Sequence, residues 1–259
     1  MERLSRHERK GLNKHQLLFW GLMFVVAGLF SRSFIQNRVL QMSNMTGQQL
    51  LEVISASKSA MAAATAALVM QALETCAIPI FAFLLAEGFE KTKSRPKLLL
   101  FVLITAVASE IPYNLAMYGK LLDTTSRNPA VALLIGVAVL YFFRRYRDKS
   151  FQNVFIKVFV AISSVLWAVM LNVEHGVALL IMVMTMWALR NKKSLRALFS
   201  SFAAAICMII SPFYIVSAMG ILPVHLYRED EQEQEQNVVL LYAAYPVLLL
   251  VVGVLAKFL

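Results

Sequence analysis

Three carboxylates stand inside otherwise apolar runs of this chain: Glu74, Glu87 and Glu110. Glu87 sits near the end of FAFLLAEGF (Phe81 to Phe89), and Glu110 closes LLLFVLITAVA within the run SEIPYN. A desolvated carboxyl group holds its proton more tightly, and a second carboxylate nearby strengthens that hold. Such an acid can take up and return a proton as a general base or as a proton carrier. The neighbours of Glu110 add to this chemistry. Ser109 brings a hydroxyl, Tyr113 a phenol and Asn114 an amide, while Pro112 frees a backbone carbonyl one turn back. The same cluster also reads as a satisfied polar network that fixes helix packing. Asn128, ahead of Pro129, is placed to cap the helix that follows. Glu174 and His175 fall in a tight turn; either they face the mouth of the same cavity or they are simply solvated. Glu87 lies four residues before Lys91, so it reads both as an interfacial acid and as a group at a substrate entrance.

The elements that must position these residues are transmembrane helices. A spanning helix needs roughly 20 apolar residues, and candidates occur at about 17–36, 60–88, 98–118, 130–143, 151–171, 175–189, 197–222 and 238–256. The second and seventh contain Pro79 and Pro212 and are predicted to kink or break there. At roughly 1.5 Å per residue, Glu74 and Glu110 come to similar depth, toward the outer half of the bilayer. The stretch SAMAAATAA (Ser59 to Ala67) suits close helix packing.

Composition agrees. The chain of 259 residues is 59% hydrophobic and 15% charged, with mean hydropathy +0.66. A soluble domain is roughly half apolar and about one quarter charged. The net charge of +10 does not point to nucleic acid, because the bases sit in short clusters between apolar spans. Nineteen of the 25 basic residues fall on one side of an eight-span arrangement and six on the other, the asymmetry of cytoplasmic loops. The expected fold is therefore an all-α polytopic transmembrane bundle of about eight spans with both termini cytoplasmic; on this reading a count of seven or nine spans breaks the alternation. Residues 1–16 form a basic cytoplasmic segment and 17–259 the membrane domain. Within that domain, 37–59 is a loop or short amphipathic helix and 225–237 an acidic outer loop. Arg32, near the outer end of the first span, is expected to snorkel to the surface. Cys76 and Cys207 read as small buried hydrophobes. No nucleotide-binding motif or metal-ligand spacing is present, so neither a metal nor a permanently bound cofactor is expected.

One stretch carries a family resemblance. IPIFAFLLAEGFEKTKSRPKLLLFVLITAVASEIPYNLA resembles the signature of the TraX family, in which a proline, F-A-F-L-x-x-E-G-F, a short basic loop and S-E-I-P-[YF]-[DN] follow in order. NPAVALLIGVAVLYFFRR, EHGVALLIMVMTMWALRN and YAAYPVLLLVV are similar to later segments of that family. The match is good over about 77–192 and looser elsewhere. Glu87, Gly88, Ser109, Glu110, Pro112, Asn114 and Asn128 keep the pattern. The family's Asp-His-Ile-Gly run has no counterpart in MFVVAGLF, its Gly-Arg is Glu74-Thr75 here, and the histidine of its Y-P-x-H-L is Leu248, with His225 of PVHL as a stand-in. The resemblance implies a bacterial cytoplasmic-membrane protein that transfers an acetyl group from acetyl-CoA to an amine, such as the N-terminus of a pilin or other small membrane protein. On that reading Glu110 is the base or orienting acid, Asn114 assists it, and Glu87 lies near an acyl-CoA entrance. Two other functions fit the residues: a non-catalytic membrane protein that keeps the fold for partner binding, and a carrier using Glu74 and Glu110 as a proton site.

Overall fold

The computed structural model describes residues 11–42, 45–148, 150–228 and 238–258. The basic residues Arg3, Arg6, Arg9 and Lys10 and the acidic run at 229–237 lie outside these. Helix α1 (Lys14–Phe30) is capped by Asn13 and runs on as a π-helical segment (Ser31–Val39). Then come α2 (Gly47–Ala56), α3 (Lys58–Glu74), α4 (Ala77–Lys91), α5 (Arg95–Tyr118), α6 (Ala130–Arg145), α7 (Phe151–Met170), α8 (Gly176–Ala188) and α9 (Lys193–Cys207). A 3-10 segment (Pro212–Gly220) leads into α10 (Ile221–Leu226), and α11 (Val238–Phe258) follows. No strand longer than an isolated bridge occurs among the described residues. The protein is an all-α helical bundle.

Its surface is that of a membrane protein. Helix α7 buries only Ser164 and Ala168 and exposes Phe155, Phe159, Ile162 and Leu166. A helix apolar on every side needs an apolar solvent. Four helical stretches are long and apolar enough to cross a bilayer: Lys14–Val39, Lys58–Lys91, Arg95–Tyr118 and Phe151–Met170.

Helix α4 is the axis of the bundle. It packs on α8, α1, α6 and the 3-10 segment, and buries Ile80, Phe83, Leu84, Leu85 and Phe89 against Leu140, Met182 and Met186. A smaller core joins Leu29, Tyr113, Met117 and Leu249, where α5 lies along α11. The small-residue helix α3 packs closely on α1.

The span expected at 60–88 is two helices. It breaks at Thr75–Cys76, four residues before Pro79, because the proline has no N–H to give and its ring crowds the Thr75 carbonyl. The 3-10 segment fills the break: Thr75 Oγ1 donates to the Phe213 carbonyl at 3.1 Å and Cys76 Sγ to the Val216 carbonyl at 3.3 Å. The span expected at 197–222 likewise ends at Cys207, and Pro212 opens the 3-10 segment instead of bending a helix.

That second break changes the topology. Residues 212–226 descend beside α4, and the chain meets Leu12: Leu12 N–H donates to the Leu226 carbonyl at 3.0 Å and Arg228 N–H to the Leu12 carbonyl at 2.9 Å. Lys193 and Lys91 also reach Tyr227. The segment read as an outer loop from residue 225 therefore begins at the same end of the bundle as the N-terminus. Helix α11 then runs parallel to α5, Gly253 touching Leu115 and Ala116 and the Ala256 carbonyl accepting from Arg38. Among the described residues, Leu12 and Ala256 lie at opposite ends of the bundle.

Candidate functional site

The expected snorkelling arginine turns inward. Arg32, in the first turn of the π segment, is largely buried and donates to Glu174 through Nη1; its Nη2 lies 3.4 Å from Glu74 Oε2. A buried guanidinium is tolerated only beside such partners. Glu74, the last residue of α3, is brought there by the helix break. Its carboxyl lies on the face of Gly28, where any Cβ would fall inside the carboxyl group.

Glu174 and His175 come from the turn between α7 and α8. A short bridge holds that turn: Arg127 N–H donates to the Asn172 carbonyl at 3.0 Å and Glu174 N–H to the Arg127 carbonyl at 2.9 Å. His175 adopts a left-handed backbone, φ 55°, a conformation that costs an ordinary residue about 1 kcal/mol or more. Its ring reaches Tyr214 of the 3-10 segment, Nδ1 to Oη 3.0 Å. Its Nε2 is buried with no hydrogen-bond partner among the described residues, 3.8 Å from Glu74 and 3.9 Å from Glu174. Tyr113 donates to Glu174 and shares Ser126 with Tyr118, each hydroxyl 2.7 Å from Ser126 Oγ. Burial opposes the charge on Glu174, but Arg32, His175 and the Tyr113 hydroxyl outweigh it and hold its carboxyl below the usual carboxylate range.

This cluster separates two cavities. On one side is a largely apolar, partly open cleft, with Glu74, Tyr113, Glu174, His175 and Tyr245 at one end and Phe81, Leu84, Leu85 and Leu133 along it. On the other is a more polar, partly open cavity bordered by Arg32, Gln71, Thr75, Ser211 and Tyr214. Glu174 and His175 line both, and Arg32 Nε is a buried N–H without a partner.

Glu110 belongs elsewhere. It pairs with Arg127 at 2.9 Å and accepts from Asn128 Nδ2 at 2.5 Å; Asn128 also caps α6 by accepting from Ala130 N–H at 3.0 Å. Glu74 and Glu110 thus answer to different partners. Asn114 and Ser109 are fully buried, and neither the Asn114 amide nor the Ser109 hydroxyl has a partner among the described residues; Asn114 makes no bond to Glu110. Glu87 pairs with Lys91 at 2.6 Å near the far end of α4, thirteen residues from Glu74 and beyond the helix break. Of the residues singled out from sequence, Glu74, Tyr113, Glu174 and His175 meet. Arg32, Tyr214 and Tyr245 were missed, although a lone Arg beside an apolar run carries the same signal as a lone Glu.

The profile of the family described as TraX protein matches residues 38–256. The chain belongs to the TraX family. No curated protein and no solved structure matches it. The match covers most of the chain, including every cluster member except Arg32, so this is an integral membrane protein of the TraX family.

Proposed function

We propose that this TraX family member is an acyltransferase of the bacterial cytoplasmic membrane, moving an acetyl group from acetyl-CoA to a primary amine in the setting of conjugation, and that His175 is its base. The supporting observation is the free Nε2 of a buried histidine, held between two carboxylates where two cavities meet. With Nδ1–H donating to Tyr214 Oη, Nε2 is the acceptor tautomer. Glu74 and Glu174 favour an incoming ammonium, and His175 removes its proton. The amine nitrogen then attacks the thioester carbonyl carbon; the C–N bond forms, the C–S bond breaks, the second amine proton leaves on the thiol, and the first is released from His175 to solvent. Arg32 Nε is a donor available to the oxyanion, the group whose stabilisation contributes most in acyl transfer. Glu110, occupied by Arg127 and Asn128, braces the loop that carries Glu174, and Glu87 stands apart from the reaction at the basic end. A pilin N-terminus is the acceptor that family membership suggests.

The test uses purified protein in lipid nanodiscs with radiolabelled acetyl-CoA and an amine-bearing peptide. Label recovered as an amide, stable to neutral hydroxylamine, is expected. Binding and transfer both absent from folded protein would instead leave the fold as a partner-binding scaffold.

A further inference from the structure

We propose that the apolar cleft binds the hydrocarbon tail of an amine-headed lipid, its ammonium seated between Glu74 and Glu174; that this amine is an acyl acceptor rests on the function proposed above. The charges argue for the head. Two carboxylates face one guanidinium there, Arg32, and His175 is the remaining titratable group within salt-bridge distance. With His175 neutral, as the proposed base requires, the surplus is negative, so a cation is attracted and a fatty carboxylate is repelled.

The walls argue for the tail. Away from the charged end the lining is Val25, Phe81, Leu84, Leu85, Leu133 and similar apolar groups, with Thr105 as the one polar side chain, and its hydroxyl is already given to the Phe101 carbonyl at 2.9 Å. A peptide threaded there would bring an N–H and a carbonyl with every residue, and each needs a partner. A helical peptide, about 10 Å across, would need the surrounding helices to part. An alkyl chain has no polar group to satisfy and fills a space that would otherwise cost packing energy. Glu74 ends α3 and Leu85 lies eleven residues on, in α4, so the apolar lining leads away from the charged end alongside α4. The lining favours a lipid over a protein N-terminus.

Two measurements test this. In the first, nanodiscs of phosphatidylcholine alone and of phosphatidylcholine with phosphatidylethanolamine receive labelled acetyl-CoA, with and without an amine-bearing peptide, and the lipid extract is counted. In the second, dodecylamine, dodecanol, dodecanoate and butylamine are compared as stabilisers against heat, using wild type and Leu133→Trp, which places a bulky ring in the cleft. The proposal expects stabilisation by dodecylamine well beyond that by dodecanoate or butylamine, lost at least tenfold in apparent affinity in Leu133→Trp, and label in the lipid extract only with phosphatidylethanolamine. Selective dodecylamine binding with no transfer to any amine would uphold the lipid site and sink the acyltransferase reading. Label on the peptide but not on lipid, with no selective dodecylamine binding, would overturn the lipid site and leave acyl transfer standing. Leu100→Trp, on an exposed position of α5, controls for the bulky ring alone.

Discussion

A single missing methyl holds the Glu74 carboxyl in place. Because a Cβ on residue 28 would occupy that carboxyl's position, Gly28→Ala is expected to push Glu74 off Arg32 and leave a guanidinium short of a partner. The carboxyl is the far end of a flexible side chain and Arg32 keeps Glu174, so the cost is expected to be about 1 kcal/mol, read as a modest fall in melting temperature; an unchanged melting temperature would mean that the Glu74–Arg32 contact contributes little. Glu174 adds a pH dependence with a definite sign. Its folded carboxyl is held below the ordinary range, so its contribution to stability is complete above about pH 4.3, the unfolded value, and disappears as pH falls through the lower folded value. Melting curves from pH 6 to 3 should show this acid loss in wild type and a flatter profile in Glu174→Gln; parallel curves would argue against it. Glu74 was legible in the sequence as a carboxylate in an apolar run, and Glu174 as an acid in a tight turn. Their partner was not. Snorkelling is open to any long base near a helix end, and only the inward turn of the π segment decides between solvent and Glu74.

Breaks in helices, more than helices, assemble the site. Pro79 ends α3 where Glu74 needs to stop, and Pro212 starts the 3-10 segment that supplies Tyr214. The two breaks meet at Gly220, where a Cβ would collide with the Cys76 carbonyl. Backbone cannot yield as a side chain can, so Gly220→Ala is expected to destabilise by about 2 kcal/mol or more, with transfer activity falling because Tyr214 shifts; a fully stable, active variant would show that the segments can slide apart. Both prolines were readable as kinks. That their breaks face each other was not, since proximity across 140 residues leaves no local pattern. The left-handed backbone at His175 was equally hidden, because histidine carries no glycine-like signal for it.

At the scale of the whole molecule, counting charges does not fix the direction of α11. Moving residue 228 to the basic end and residue 257 to the other exchanges Arg228 for Lys257, which leaves the balance of nineteen to six unchanged. Eight passes and nine passes fit the positive-inside rule equally well. Reporter fusions settle it: tags on the N- and C-termini are expected in opposite compartments, and tags in the same compartment would contradict the parallel pairing of α11 with α5. The same topology sets the reactive histidine far from Glu87 and apart from Glu110, although both acids keep the family pattern. The most direct measurement is therefore the single-turnover rate of acetyl transfer in nanodiscs for wild type, His175→Gln and Glu110→Gln, each first shown to be folded. A base contributes about 10²–10⁴-fold, so His175→Gln should lose at least a hundredfold while Glu110→Gln stays within tenfold of wild type. A full rate in His175→Gln, with the loss in Glu110→Gln instead, would contradict the account.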